Sequence, residues 1–298
     1  MKKIMLIKSF VQKNKLLLML AVISMSLLVS GCTDNTNKTV GTDDTHTDNT
    51  LADVKLQIAG STTVLPVAEE CARAFMEKHP GSRIFVSGGG SSHGVKAVAD
   101  GTVDIGTASR DLKSSEIDSH PDLVAHGVAK DGVAVIVHPS NLVTDLTMEQ
   151  LQGIYTGTIT NWKEVGGTDS GIMVVTREEG SGTRDCFEQA VIKPIKAEIT
   201  DHGIIQDSNG KTRATVAGSA QAIGFISLGY VNSDVSALRL DGIEPTVESV
   251  VDGSYAISRT LWMISNGNPD SSEKAFLDFV LGDEGQRIVE DVHFIPVN

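Results

Sequence analysis

"RIFVSGGGSSHGVKAVADGTVDIG", residues 83 to 106, contains in one stretch the alternation that sets the fold class. Arg83–Ser87 is a short run rich in β-branched and aromatic side chains, closed by three glycines, and reads as a strand. Gly94–Asp100 places small and apolar residues at helical spacing, and Val103–Gly106 reads as a second strand. A strand, a glycine-rich loop, a helix and another strand in succession predict an α/β fold with largely parallel pairing.

The same alternation continues in both directions. Strands are predicted at Val54–Ala59, Gly132–His138, Ile172–Thr176, Ile223–Ser227 and Ala256–Ser265. Helices are predicted at Pro66–His79, Ser114–His120, Thr147–Tyr155, Thr183–Val191, Pro269–Leu281 and Glu284–Asp291. No repeat of solenoid period interrupts the pattern.

The 298 residues suffice for one large domain or two smaller ones, once the N-terminus is set aside. Lys2, Lys3, Lys8, Lys13 and Lys15 precede an apolar run from Leu16 to Val29, too short for a span but right for a secretory signal. Ser30-Gly31-Cys32 resembles a lipobox, so residues 1–31 are expected to be a lipoprotein signal peptide and Cys32 the lipidated residue. Residues 32–52, mostly Thr, Asp and Asn, cannot bury enough apolar surface to fold and are expected to act as a tether. The folded body is therefore expected on the outer face of the cytoplasmic membrane, lipid-anchored and extracytoplasmic.

The net charge is −13, and loss of the five N-terminal lysines would make it about −18. So acidic a body excludes nucleic acid as a partner and gives an anion no help from its overall field. An anion site must then be built from local dipoles and a few placed arginines. Cys71 and Cys186, far apart in sequence, form neither a disulfide framework nor a metal site, and Cys71 lies on the apolar stripe of a predicted helix. Eight scattered histidines show no metal-ligand spacing, and no cofactor motif is present.

Three Gly/Ser/Thr clusters each stand ahead of a predicted helix: Gly60–Thr63, Gly88–Ser92 and Gly180–Thr183, with Ser109-Arg110 after "VDIGTA" as a fourth source of donors. A helix N-terminus exposes unpaired N–H groups and the positive dipole end, glycines let an oxyanion approach, and hydroxyls add donors. One cluster alone is an ordinary N-cap; several could converge on one tetrahedral anion. In "VTREEGSGTRDCFEQAV", residues 175–191, Arg177 offers a planar fork and Ser181, Gly182 and Thr183 the helix start. Phe187 is expected to face inward and Arg184 to pair with Glu188 four residues on.

These segments, with "AGSTTVLPVAEECARAF", "ITNWKEVGG" and "GSAQAIGFISLGY", resemble in order and spacing the substrate-binding proteins of phosphate ABC transporters, from about residue 56 to the C-terminus. The resemblance implies a two-lobed periplasmic-binding-protein fold of type II, with the anion held between lobes joined by crossover strands. Lobe I would comprise residues 53–134 and 254–298, and lobe II residues 135–253. It implies phosphate ligands at Thr62, Thr63, Ser91, Arg177, Ser181, Gly182 and Thr183. Where some members carry an aspartate that accepts the phosphate proton, this chain has Ser109 and Arg110. Glu179 is the expected replacement acceptor; its alternative role is to orient Arg177 by an ion pair. The implied protein is a monomer that binds inorganic phosphate and delivers it to permease subunits, without cofactor or catalysis.

Other readings remain. Gly90-Ser91-Ser92-His93-Gly94 fits the G-x-S-x-G elbow of serine hydrolases, but three glycines separate the strand from its serine. A binding protein for sulfate, molybdate or tungstate would use the same physics, and so would an anchored signalling or adhesion module. No Walker lysine supports a nucleotidase.

Overall fold

The computed structural model describes residues 53–298. The expected signal peptide, the lipidation site at Cys32 and the tether lie outside the described residues. The elements that position the site are β1 (Lys55–Gly60), α1 (Leu65–Lys78), β2 (Arg83–Gly88), α2 (Ser91–Ala99), β3 (Ile105–Ala108), α3 (Ser114–Ser119) and β4 (Leu123–Val137). They continue with α4 (Met148–Thr156), β5 (Met173–Arg177), α5 (Gly182–Phe187), β6 (Ile204–Gln206), α6 (Asn209–Ala217) and β7 (Ala222–Ser227). The chain ends with α7 (Val247–Val251), β8 (Ser258–Asn266), α8 (Ser271–Leu281) and α9 (Asp283–Asp291).

The strands form a curled mixed sheet in the order β2-β1-β3-β8-β4-β7-β5-β6. Pairing is parallel within β2-β1-β3 and within β7-β5-β6. It is antiparallel wherever β8 or β4 takes part, which corrects the expectation of largely parallel pairing. The reason lies in β4, which begins at Leu123, well before the start of the expected Gly132–His138. Its residues Leu123–Gly132 pair with β8, while Val133–Val137 pair with β7. No residue of β4 is shared between the two ladders, so hydrogen bonding passes from one set of strands to the other at Gly132 and Val133.

Two large cores lie on either side of this handover. The first gathers Val54, Ile58, Phe75, Ile105, Leu261, Met263, Phe276 and Phe294. The second gathers Val133, Val135, Val137, Trp162, Phe187, Phe225, Tyr255 and Ile257, and also takes Ile295 from the C-terminal tail. Alternate residues of β4, Ala134 and Ile136, pack into a third cluster on the opposite face. A strand covered on both faces reads as a continuous apolar run, as "GVAVIV" does. The chain returns between the cores at β8: Tyr255 and Ile257 lie in the second, Leu261 and Met263 in the first.

Local sequence explains the helices. α1 has proline in its first turn and buries Val67, Ala68, Cys71, Ala72 and Phe75 on one stripe. α8 begins with a capping box in which the Asp270 carboxylate accepts from the Ser272 and Glu273 amides at 2.8 Å. Gly60 and Gly94 touch back to back, because a Cβ on either would collide with the Thr107 carbonyl. That approach draws the loop after β1, the start of α2 and the end of β3 together.

Candidate functional site

β5 ends at Arg177, and the turn that follows closes with the Ser181 amide donating to the Glu178 carbonyl at 3.3 Å. Ser181 then caps α5, its Oγ accepting from the Arg184 amide at 3.2 Å. Phe187 anchors the helix in the second core, stacked on Phe225 with ring centroids 4.1 Å apart. Arg184 pairs with Glu188 at 2.7 Å. The start of α5 is thereby held against the loops of the first core: the Ser92 amide donates to the Gly180 carbonyl at 3.0 Å.

The hydroxyls of four separate segments meet here. Thr63 Oγ1 lies 3.2 Å from Thr183 Oγ1, and Ser91 Oγ lies 3.4 Å from Ser109 Oγ. Gly182 packs so closely between these groups that a side chain on it would collide with the Ser91 and Ser109 hydroxyls. Thr63, Ser91, Ser109, Ser181 and Thr183 are all buried. Polar groups withdrawn from water in such number are costly unless partnered, so their convergence marks a place built for a polar occupant.

Arg177 is 1% exposed. Its Nε and Nη2 hold Glu178 at 2.9 and 3.0 Å, Nε also donates to the Gln206 carbonyl at 3.1 Å, and Nη2 reaches Thr62 Oγ1 at 3.4 Å. Its Nη1 has no hydrogen-bond partner among the described residues. Glu178 already balances the charge, so the idle Nη1 is a buried donor left free for a further acceptor, which an oxyanion would supply.

Of the residues expected from sequence, Thr62, Thr63, Ser91, Ser109, Arg177, Ser181, Gly182 and Thr183 come together. Arg110 and Glu179 do not. Arg110 turns away to grip both oxygens of Glu116 at 2.7 and 2.8 Å, and its Nε lies 2.7 Å from Asp185. Glu179 sits exposed in the turn, next to Gly180 with its positive φ. The carboxylate that braces Arg177 belongs to its neighbour Glu178. Arg110 also donates to Ser92 Oγ at 3.0 Å, and among the described residues no histidine is hydrogen-bonded to that hydroxyl as a base would be.

Three contributors were missed. Asn209, at the start of α6, donates to Thr63 Oγ1 at 3.0 Å and accepts from the Ser227 amide at 3.1 Å. Tyr230 donates to the Thr62 carbonyl at 2.6 Å, and burial pushes its phenol up to about 12. Arg259 of β8 donates to Thr63 Oγ1 at 3.2 Å while pairing with the buried Asp131 of β4. Burial raises Asp131 above the ordinary carboxylate value against the pull of Arg259. The signal for Arg259 was available: it is the single charged residue of strand β8, "SRTLWMISN". An open groove of about 1190 Å³ lies to one side, lined by Arg110, Lys113, Asp185, Cys186 and Arg259 among others, but the hydroxyl cluster does not line it. Among the described residues no group of His, Cys, Asp and Glu is arranged to hold a metal ion.

Comparison with known proteins gives the family. Residues 34–284 match the family model described as the PBP superfamily domain. The chain is similar to the phosphate-binding protein PstS of Bacillus subtilis, 33% identical over 96% of this chain and 95% of that one. It is likewise similar to PstS of Borreliella burgdorferi, 28% identical over 95% of this chain and 99% of that one. Among solved structures it resembles a Clostridium perfringens protein described as a phosphate ABC transporter substrate-binding protein and solved with bound phosphate. That pair shares 44% identity with a TM-score of 0.78, over 82% of this chain and all of the other.

Proposed function

The chain belongs to the PBP superfamily, among its phosphate-binding proteins, and on that footing we propose that it captures inorganic phosphate outside the cytoplasm and delivers it to the permease of an ABC transporter. It is a binding protein and not an enzyme. The observation that carries the reading is the idle Nη1 of buried Arg177, beside hydroxyls drawn from both halves of the chain. Thr62, Thr63, Ser91, Ser109, Ser181, Gly182 and Thr183 would supply the remaining donors.

The mechanism is capture between two lobes. Residues 53–134 with 254–298 would form one lobe and residues 135–253 the other, the strands β4 and β8 serving as the connection. The hydroxyls of Thr63, Ser91 and Ser109 belong to the first, and Arg177 with Ser181–Thr183 to the second. An anion that bonds to both sets favours the arrangement in which they meet, and the affinity measures that preference. Donors fixed before the anion arrives need little reorganisation, which favours tight binding.

Lipidation of Cys32 would hold the protein at the membrane as a monomer within reach of the permease. Among the described residues no helix is long and apolar enough to cross a membrane.

Protein stripped of ligand and titrated with phosphate by calorimetry tests the reading. The melting temperature should rise with phosphate, by a stabilisation of about 2.7 kcal/mol at a hundred times the dissociation constant. Absence of heat and of any melting shift would sink it. Sulfate belongs in the same titration for a structural reason. Glu178 is engaged by Arg177, Asp131 by Arg259 and Ser227, and Glu116 and Asp185 by Arg110. Each of these carboxylates already holds a cation, so how strongly the site rejects a proton-free anion is read directly by comparing sulfate with phosphate.

A further inference from the structure

Arg259 lies in β8 directly opposite Asp131 in β4, where the chain crosses between the two cores. The side chains are 4% and 1% exposed. Nε and Nη2 of Arg259 hold Asp131 Oδ2 at 2.9 and 2.7 Å, and Ser227 Oγ donates to Asp131 Oδ1 at 2.8 Å. A buried ion pair adds little net stability over apolar side chains of similar volume, so stability alone does not account for this one.

The rest of the guanidinium faces the hydroxyl cluster. Nη2 donates to Thr63 Oγ1 at 3.2 Å, and Nη1 approaches Ser109 Oγ at 3.4 Å and the Ser109 carbonyl at 3.3 Å. Asn209 Nδ2 donates to the same Thr63 oxygen at 3.0 Å. A hydroxyl oxygen has two acceptor lone pairs and one proton. With Arg259 and Asn209 filling both lone pairs, Thr63 has only its proton to offer, to Thr183 Oγ1 at 3.2 Å or to a ligand in its place.

We infer that Arg259, held in place by Asp131, is a positioning residue that commits the Thr63 hydroxyl, and to a lesser degree that of Ser109, to donating into the anion site. Its guanidinium brings a second positive charge to the hydroxyl cluster, at Thr63 where Arg177 reaches Thr62. This deepens the phosphate reading and rests on it. Asp131 in turn fixes the orientation of Arg259, its own oxygens accepting from Arg259 and Ser227.

The test is a mutant cycle read by phosphate titration of the whole mature chain, stripped of ligand. The pair Arg259→Gln with Asp131→Asn replaces the ion pair by a neutral, hydrogen-bonded one. It should bind phosphate about ten- to a hundredfold more weakly while the ligand-free melting temperature stays close to that of the parent. Arg259→Lys, which keeps charge but loses the fork, should fall between. In a Thr63→Val background the loss on neutralising Arg259 should be at least about threefold smaller, since the hydroxyl it acts through is gone. A role confined to holding β4 and β8 together would give losses that multiply independently. Affinity of the neutral pair within about threefold of the parent, or full independence from Thr63, overturns the inference. Should the neutral pair fail to fold, Arg259→Lys with and without Thr63→Val supplies the same cycle. A parent protein that takes no phosphate overturns the underlying reading instead, and is seen before any variant is made.

Discussion

Arg110, in the loop after β3, and Asp185, in the first turn of α5, form an ion pair of 2.7 Å that joins the two halves of the chain. Lys113 adds a second cation to the same carboxylate oxygen at 3.0 Å. Neither Arg110 Nε nor Asp185 Oδ2 has an aligned hydrogen bond, so the attraction is one of charge rather than direction. The contact exists only while the halves are together. Asp185→Asn should therefore speed phosphate release, by about three- to tenfold, with little change in the rate of association. Stopped-flow measurement with a phosphate trap reads both rates, and an unchanged release rate would show that the pair does not hold the closed arrangement.

Charge and geometry at Arg177 can be separated. Arg177→Ala should cost about 2–5 kcal/mol of phosphate affinity, because Glu178 would also be left without its partner. Ser181→Ala removes one neutral hydroxyl and should cost about 0.5–2 kcal/mol. Arg177→Lys should lie between, retaining the charge and losing the fork. If calorimetry ranked Ser181→Ala above Arg177→Ala, the arginine would not face the anion.

Gly182→Ala should be the most severe change for its size. The added methyl would meet the Ser91 and Ser109 hydroxyls, which lie across the site on the other half of the chain. Phosphate affinity should fall by more than about a hundredfold, while the ligand-free melting temperature moves by only a few degrees because each core is untouched. A large fall in the ligand-free melting temperature would place the damage in the fold instead.

The grip of Arg110 on Glu116 carries a pH signature. Burial pushes the Glu116 carboxyl up, but the Arg110 guanidinium and the Lys113 amide outweigh it and hold the group below its ordinary value. A carboxylate depressed in the folded state contributes stability above its unfolded pKa, about 4.3, and that contribution is lost as the pH falls through the folded value. Melting curves taken down through that acid range should steepen in their loss of stability, and Glu116→Gln should flatten this limb. Parallel curves for the two proteins would remove Glu116 from the account.

Strands with continuous apolar runs were legible in the sequence, as were the Gly/Ser/Thr clusters, because glycine and hydroxyl residues ahead of a helix carry local meaning. α6 was not legible: "NGKTRATVA" has few apolar residues and buries only Asn209, Thr212 and Val216, so no stripe announces it. The loss of α6 concealed Asn209. The direction of β4 was hidden for a different reason. "LVAHGVAKDG" mixes glycine, histidine and charge, and its pairing with β8 is settled by a partner more than a hundred residues away. Arg110 and Glu179 misled because a charge beside a binding loop says nothing of which way it turns. For Arg110 it depends on Glu116 and Asp185, which draw it aside.

The handover at Gly132 and Val133 also bears on the order in which the chain can fold. Val133 donates its amide to the Ile257 carbonyl at 2.8 Å, so the segment between them leaves and returns at nearly one point. Its core is drawn almost wholly from that continuous stretch and can form as soon as the stretch is available. The other core needs Val54 from one end and Phe294 from the other, so it stays incomplete until the last residues arrive. A chain threaded outward from its N-terminus would thus carry an unfinished first half, open to proteases and chaperones, until the C-terminal helices α8 and α9 dock.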